Sequence, residues 1–137
     1  MKTFSLNIVS QEQQMYAGAA VKLFVTSTYG ELEILYGHAK LLAKLVPAPI
    51  WIETSDFGKE ALVVFGGVLE VQHNKVTILA DTAMRAADLD EVKAMHAKRD
   101  AECLLHQRGG STDYASIRAE IAFAGAQLKV IKYLLNK

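Results

Sequence analysis

Between Val64 and Asp90 the recurrence of apolar residues changes from every second position to every third or fourth, so one chain joins two differently built halves. Before the junction the pattern is that of half-buried strands. Phe4, Leu6 and Ile8 alternate with Ser5 and Asn7, and Val21, Leu23 and Val25 alternate with Lys22, Phe24 and Thr26. Such alternation gives one face to a core and the other to water or a partner, and short strands with one wet face belong to antiparallel sheets. Further strands are expected at "EILY", "IWIET", "EALVVF", "VLEVQ" and "KVTILA", punctuated by Gly30, Gly37, Pro47 with Pro49, "SDFGK", Gly66 with Gly67, and "HNK". No helix-length periodic segment interrupts them, which disfavours βαβ units and favours a sandwich or barrel.

After the junction two helices are expected. Asp88 is positioned to cap the first, its carboxylate accepting an otherwise unpaired backbone N–H, with Glu91 completing an Asp variant of the capping box. That helix starts at Leu89 and runs to Gly109 and Gly110, which suit a helix end and a tight reversal. Asp113 then caps a second helix, on which Tyr114, Ile117, Ile121, Ala124, Leu128, Ile131 and Leu135 form one stripe at spacings of three and four. A helix about 30 Å long needs a partner, and the short turn favours an antiparallel hairpin with the first. Ala94, Ala97 and Ala101 on one helix, and Ala115, Ala119, Ala122 and Ala126 on the other, allow close approach. At roughly 25 cal/mol per Å² such a seam contributes little, so the hairpin depends on docking elsewhere. The fold class is therefore α+β: an N-terminal antiparallel β-sandwich over residues 1–87 and a C-terminal antiparallel α-helical hairpin over residues 88–137. The plainest reading of the pattern is a hairpin packed permanently on the sandwich.

Charge and chemistry exclude several classes. The 15 basic and 15 acidic side chains cancel, and no run of like charge stands out, so nucleic acid and anionic membrane are poor candidates for the main partner. Cys103 is alone and the N-terminus lacks the apolar core of a signal peptide, which fits a reducing, cytoplasmic setting. His38, His73, His96 and His106 are scattered, without the spacing that puts two imidazoles on one metal, so no metal site is expected. Gly66 and Gly67 precede neither a helix nor a Lys-Ser/Thr pair and read as a bend or a close crossing of strands. Asp81 and Thr82 read as turn residues, with no nucleophile motif beside them. Glu31 and Glu33 share a face only if their segment is extended, and as a solvated pair they make no acid/base dyad. No catalytic residue is expected.

Four segments in order, "VSQEQQMYAG", "GELEILYGHAKLL", "GGVLEVQHNKVTILADTAMRAADLDE" and "AKRDAE", together resemble the epsilon subunit of bacterial F-type ATP synthase over essentially the whole chain. The resemblance implies about ten short strands in the sandwich. It also implies a non-catalytic rotor subunit that joins gamma to the c-ring during proton-driven ATP synthesis, peripheral to the cytoplasmic face of the bacterial inner membrane and reaching that membrane only through the complex. Glu31 matches the ring-facing position of the family, and Ser10 and His38 match its gamma contact. The sequence departs from the family pattern where Glu33 replaces Gly and where Tyr36 and Lys40 each replace Pro, which alters backbone preferences there.

The same resemblance implies a regulatory hairpin that packs on the sandwich or extends along gamma into the alpha and beta subunits of the head, where it obstructs hydrolysis. Weak packing suits such a switch. Lys93, Lys98, Arg99, Arg108 and Arg118 are the expected cationic contacts to the head. Some family members bind ATP through a Leu/Ile-Asp-x-x-Arg-Ala motif. The matching residues here are Leu89, Asp90, Lys93 and Ala94, with Arg99 further along. Lys93 stands where the motif has arginine and offers phosphate a point charge in place of a planar fork of donors, so ATP is expected at most as a weak regulatory ligand and no other cofactor is implied. The competing class is a nucleotide-sensing module in which the hairpin is a lid over a pocket.

Overall fold

The computed structural model describes residues 2–107 and 114–135. Ten strands come first: β1 (Phe4–Val9), β2 (Gln14–Ala20), β3 (Lys22–Ser27), β4 (Gly30–Leu35), β5 (Leu41–Leu45), β6 (Ala48–Glu53), β7 (Lys59–Val64), β8 (Gly67–Gln72), β9 (Lys75–Ala80) and β10 (Ala83–Arg85). A 3-10 turn at Ala86–Asp88 leads into α1 (Glu91–Gln107), and α2 (Tyr114–Leu135) ends the chain's described part. Hydrogen bonds run through the strands in the order β10-β7-β6-β3-β5-β8-β9-β1-β2, with β4 on the other edge of β3.

The sheet becomes a sandwich at β3. Lys22, Leu23 and Phe24 pair with β6, whereas Ser27 pairs with Leu45 of β5, so one strand serves both layers. The alternation sends Phe4, Leu6, Ile8, Leu23, Ile34, Ile50, Ile52, Leu69, Val76 and Ile78 between the layers, each at most 2% exposed. All pairings are antiparallel except β1 with β9, which run parallel from Ser5↔Lys75 to Val9↔Leu79. The seven strands read from alternation are present. Three more were invisible to it: β2 carries "AGAA", which offers little apolar contrast, β5 begins directly after the Tyr36–Lys40 loop, and β10 is only three residues long.

Gly67 is the close crossing expected of the Gly66–Gly67 pair. It pairs with Leu45 on one side and Ala80 on the other, at φ +147°, and a Cβ there would lie 2.3 Å from the Leu79 carbonyl oxygen. At the β6–β7 turn, the Thr54 hydroxyl and then the Gly58 N–H hold the Asp56 carboxyl below its ordinary range. The stabilisation this gives is present at neutral pH and is lost as pH falls through that lowered value.

The start of α1 differs from expectation. Asp88 lies in the 3-10 turn, Leu89 is extended, and Asp90 is the cap, its Oδ1 accepting from the N–H groups of Val92 (2.9 Å) and Lys93 (3.2 Å). The Asp88–Glu91 box does not form because the 3-10 turn uses Asp88 and places the first helical residue at Glu91. Asp90→Ala is expected to cost about 1 kcal/mol, read as faster amide exchange in the first turn of α1. The expected turn at Gly109 and Gly110 and the cap at Asp113 lie outside the described residues.

Candidate functional site

Among the described residues the hairpin meets the sandwich mainly at one patch. On the outer side of β6 and β7, Trp51 stands opposite Ala61 and Pro49 opposite Val63. Helix α2 lays Phe123, Ala126, Val130 and Tyr133 over them, at steps of three and four that keep one side of the helix against the sheet. Val63 and Val130 are fully buried there. Trp51 meets Tyr133 edge-on with ring centroids 4.9 Å apart, and Phe65 meets Phe123 likewise at 5.1 Å. Leu89 and Ala86 of the junction close the patch. Helix α1 rests on α2 and has no comparable contact with any strand among the described residues.

The expected stripe and alanine seam need correction. Tyr114 and Leu135 are exposed, Ile121, Leu128 and Ile131 are half-buried, and the fully buried positions of α2 are Ile117, Ala124, Ala126, Gln127 and Val130. The buried band is broader than a single stripe because α2 has two neighbours, α1 and the sheet. Of the seam, Ala94, Ala101 and Ala126 are buried, Ala119 is half-buried, and Ala97, Ala115 and Ala122 face solvent. Ala126 is buried in the sheet contact.

Glu31 and Glu33 lie on an extended strand, so both project from the outer side, opposite Thr26 and Phe24 of β3. Glu33 pairs with Lys22 at 3.3 Å. Glu31 is exposed and lines a groove of about 400 Å³ whose other wall is α2, at Ala122, Gly125, Ala126 and Lys129. The residues that depart from the family pattern are all tied or exposed: Tyr36 takes the Lys2 ammonium over its ring at 5.1 Å, and Lys40 stands in solvent.

Ser10 and His38 fall at opposite ends of the layer formed by β5, β8, β9, β1 and β2. The Ser10 hydroxyl donates to the Gln13 carbonyl at 3.2 Å and accepts from the N–H groups of Glu12 and Gln13 at 3.3 Å, closing the turn after β1. His38 Nδ1 donates to the Ala39 carbonyl at 2.7 Å, in a loop whose Gly37 N–H binds the Asn74 side chain at 3.1 Å. Between them the outer face of this layer exposes Leu42 (70%), Leu79 (58%) and Val68 (40%) on adjoining strands. An apolar group of this kind on an outer sheet face is a candidate protein contact. Sequence reading passed over it, as it passed over Trp51, Phe65 and Phe123.

The residues matching the ATP motif are spread out. Asp90 spends its carboxylate on the helix cap, Ala94 is buried, and Lys93 and Arg99 are exposed six residues apart, which puts them on different sides of α1. Arg118 is exposed on α2 and Lys98 is half-buried on α1. Arg108 lies outside the described residues. Among the described residues no three His, Cys, Asp or Glu side chains gather as metal ligands, and no helix is long and apolar enough to cross a membrane.

The structure is thus a sandwich with a helical hairpin seated on its side and exposed faces free for contact. Residues 3–86 match the family model of the ATP synthase delta/epsilon chain β-sandwich domain, and residues 87–132 match that of its long α-helix domain. The chain belongs to the delta/epsilon family of ATP synthase central-stalk subunits, which are not themselves catalytic. Among solved structures, it is similar to a chain of the Euglena gracilis mitochondrial ATP synthase, in a structure of OSCP, F1 and c-ring. That match has TM-score 0.74 and 22% identity, covering 97% of this chain and 81% of the other. It is also similar to a chain from the central stalk and c-ring of the Tetrahymena thermophila mitochondrial ATP synthase, at TM-score 0.58 and 13% identity, with 96% of each chain covered.

Proposed function

We propose that this chain is a rotor subunit that couples gamma to the c-ring during proton-driven ATP synthesis, and that its hairpin restrains ATP hydrolysis by leaving the sandwich for the alpha and beta subunits of the head. The family and the fold shared with stalk chains in F1 and c-ring assemblies support the station. A close-packed sandwich is suited to it, since such an interior transmits strain with little compression. On this reading the face of Leu42, Val68 and Leu79, bracketed by Ser10 and His38, grips gamma, and the end carrying Glu31 rests on the ring. The chain then reaches the cytoplasmic side of a bacterial inner membrane only through the complex.

The observation that carries the regulatory part is the main seat of the hairpin among the described residues: α1 rests on α2, and α2 meets the strands chiefly at β6 and β7. One patch can release as a unit, leaving the main core between the layers closed. Lys93, Lys98, Arg99, Arg108 and Arg118 are then the cations available to acidic surfaces of the head, and charge reversal there is expected to relieve inhibition in an assay of the assembled complex. ATP is at most a weak ligand of the α1 start, and titration of the full chain is expected to give an affinity no tighter than millimolar.

Copurification tests the station. Tagged full-length chain is expected to recover gamma and c subunits from membranes, and recovery of the chain alone would overturn the reading. Leu42→Glu, which puts a charge at the most exposed apolar side chain of this face and opposite Glu70, is expected to weaken gamma binding at least tenfold by calorimetry, the order expected from truncating or charging a buried anchor at roughly 2 kcal/mol, without lowering the melting temperature.

A further inference from the structure

The charges of this chain cancel in sequence but not in space. Three separate segments meet at Asn74: its side-chain oxygen accepts from the Gly37 N–H at 3.1 Å and its carbonyl accepts from the Ser5 N–H at 2.9 Å. Asn74 itself sits in the left-handed region at φ 55°, a conformation that asparagine tolerates better than most residues. This hub joins the N-terminal strand, the β4–β5 loop and the β8–β9 turn into one rigid corner. Residues 2–7, 36–42 and 71–76, which build it, contain no Asp or Glu, and they bring Lys2, Lys40 and Lys75 to one end of the sandwich. The strand packed beside them contributes only Ala17, Gly18, Ala19 and Ala20 there. Among the described residues the ion pairs are Lys22 with Glu33 and Glu53, and Lys59 with Glu53, so none of these three lysines has a carboxylate partner among them. Lys40 and Lys75 line one shallow groove with Gln72 and His73. The nearest acid on these strands is Glu70, one step inward between Leu42 and Thr77.

We infer that this corner is an anion-seeking rim for the apolar face beside it, and that it receives a carboxylate-rich segment of the protein that covers Leu42, Val68 and Leu79. Two features favour an acidic protein segment. The lysines adjoin a face that exposes Leu42, Val68 and Leu79 with Lys44 and Glu70 set among them, the mixture of apolar and charged groups that a protein partner covers. The backbone that carries the lysines is also held together through Asn74, so the fold sets where they stand along the margin and a partner of opposite charge is steered there. The inference rests on the reading that gamma covers that face.

Association of full-length chain with gamma, followed by stopped flow at low and high salt, provides the test. The double variant Lys40→Glu, Lys75→Glu is expected to slow association about tenfold at low salt, to leave dissociation nearly unchanged, and to match the parent in half-molar salt, where screening acts within a few ångströms. An unchanged association rate at low salt would overturn the rim. So would loss of binding to vesicles containing anionic lipid with gamma association intact, because the patch would then serve a membrane. Leu42→Glu separates the two readings. If it abolishes gamma binding while the lysine variant has no effect, the gamma reading stands and the rim fails; if neither has any effect, both fail.

Discussion

Cutting the chain after Asp88 is expected to leave assembly with gamma and the c-ring intact and to raise the ATPase rate of the assembled complex several-fold. The sandwich core lies between its own two layers and takes nothing from α1 or α2, so the shortened chain should fold. Its cost is exposure of Trp51, Ala61 and Val63, the same surface that a released hairpin uncovers. Loosening the seat should act in the opposite direction. Each edge-on aromatic pair is worth about 1 kcal/mol beyond its buried area, and roughly 1.4 kcal/mol is a tenfold change in a two-state population. Phe123→Ala with Tyr133→Ala therefore shifts the hairpin toward release and is expected to deepen inhibition of hydrolysis. A hairpin that only props the sandwich predicts no such pair of opposite effects. Equal ATPase rates for parent, truncated and loosened chains would end the regulatory reading.

The second large effect is on stability. Gly67→Ala is expected to lower the stability of the sandwich by about 3 kcal/mol or more, because backbone strain at positive φ alone costs 1–3 kcal/mol and the added Cβ would lie 2.3 Å from the Leu79 carbonyl oxygen and 2.8 Å from the Ala80 Cα. Both obstacles are backbone, so neither can turn aside. At roughly 4–8 °C per kcal/mol for a domain of this size, the melting temperature should fall by about 12 °C or more. Gly125→Ala is the matched contrast, since a Cβ at that helical position meets nothing within 4 Å and alanine is favoured over glycine in a helix by about 0.5–1 kcal/mol. It should raise the melting temperature slightly, and a Gly67→Ala chain that melts like the parent would show that the crossing can open.

The sandwich was legible where one face is wet and the other dry. Leu23 and Val25 against Lys22 and Thr26 state that alternation plainly, and the strand is there. Legibility failed where contrast is weak, as in "AGAA" of β2, or where a strand is too short to show a period, as in β10. The seat of the hairpin did leave a trace. Leu62, Val63 and Val64 are all buried in succession, which an ordinary one-sided strand does not allow, and the unbroken run "ALVVF" announces cover on both faces. Its partner on α2 could not be read, since choosing among Phe123, Ala126 and Val130 requires knowing which two sides of the helix are occupied. Asp88 and Asp90 show a different limit: both are good caps, and the 3-10 turn at Ala86–Asp88 decides between them. Lys2, Lys40 and Lys75 are far apart in the chain, so their gathering belongs wholly to the fold.

The parallel pairing of β1 with β9 bears on how the molecule takes load. A pull on the hairpin reaches β10 first, whose three pairs with β7 end at Arg85 and can peel one after another. Beyond it the tension arrives at β9, which lies alongside β1 in the same direction over five residues. Drawn from its far end against an anchored β1, that ladder must slide as a whole, all its hydrogen bonds straining together. Tension on the hairpin is thus expected to yield first at this short fringe, before the sandwich it hangs from begins to unravel.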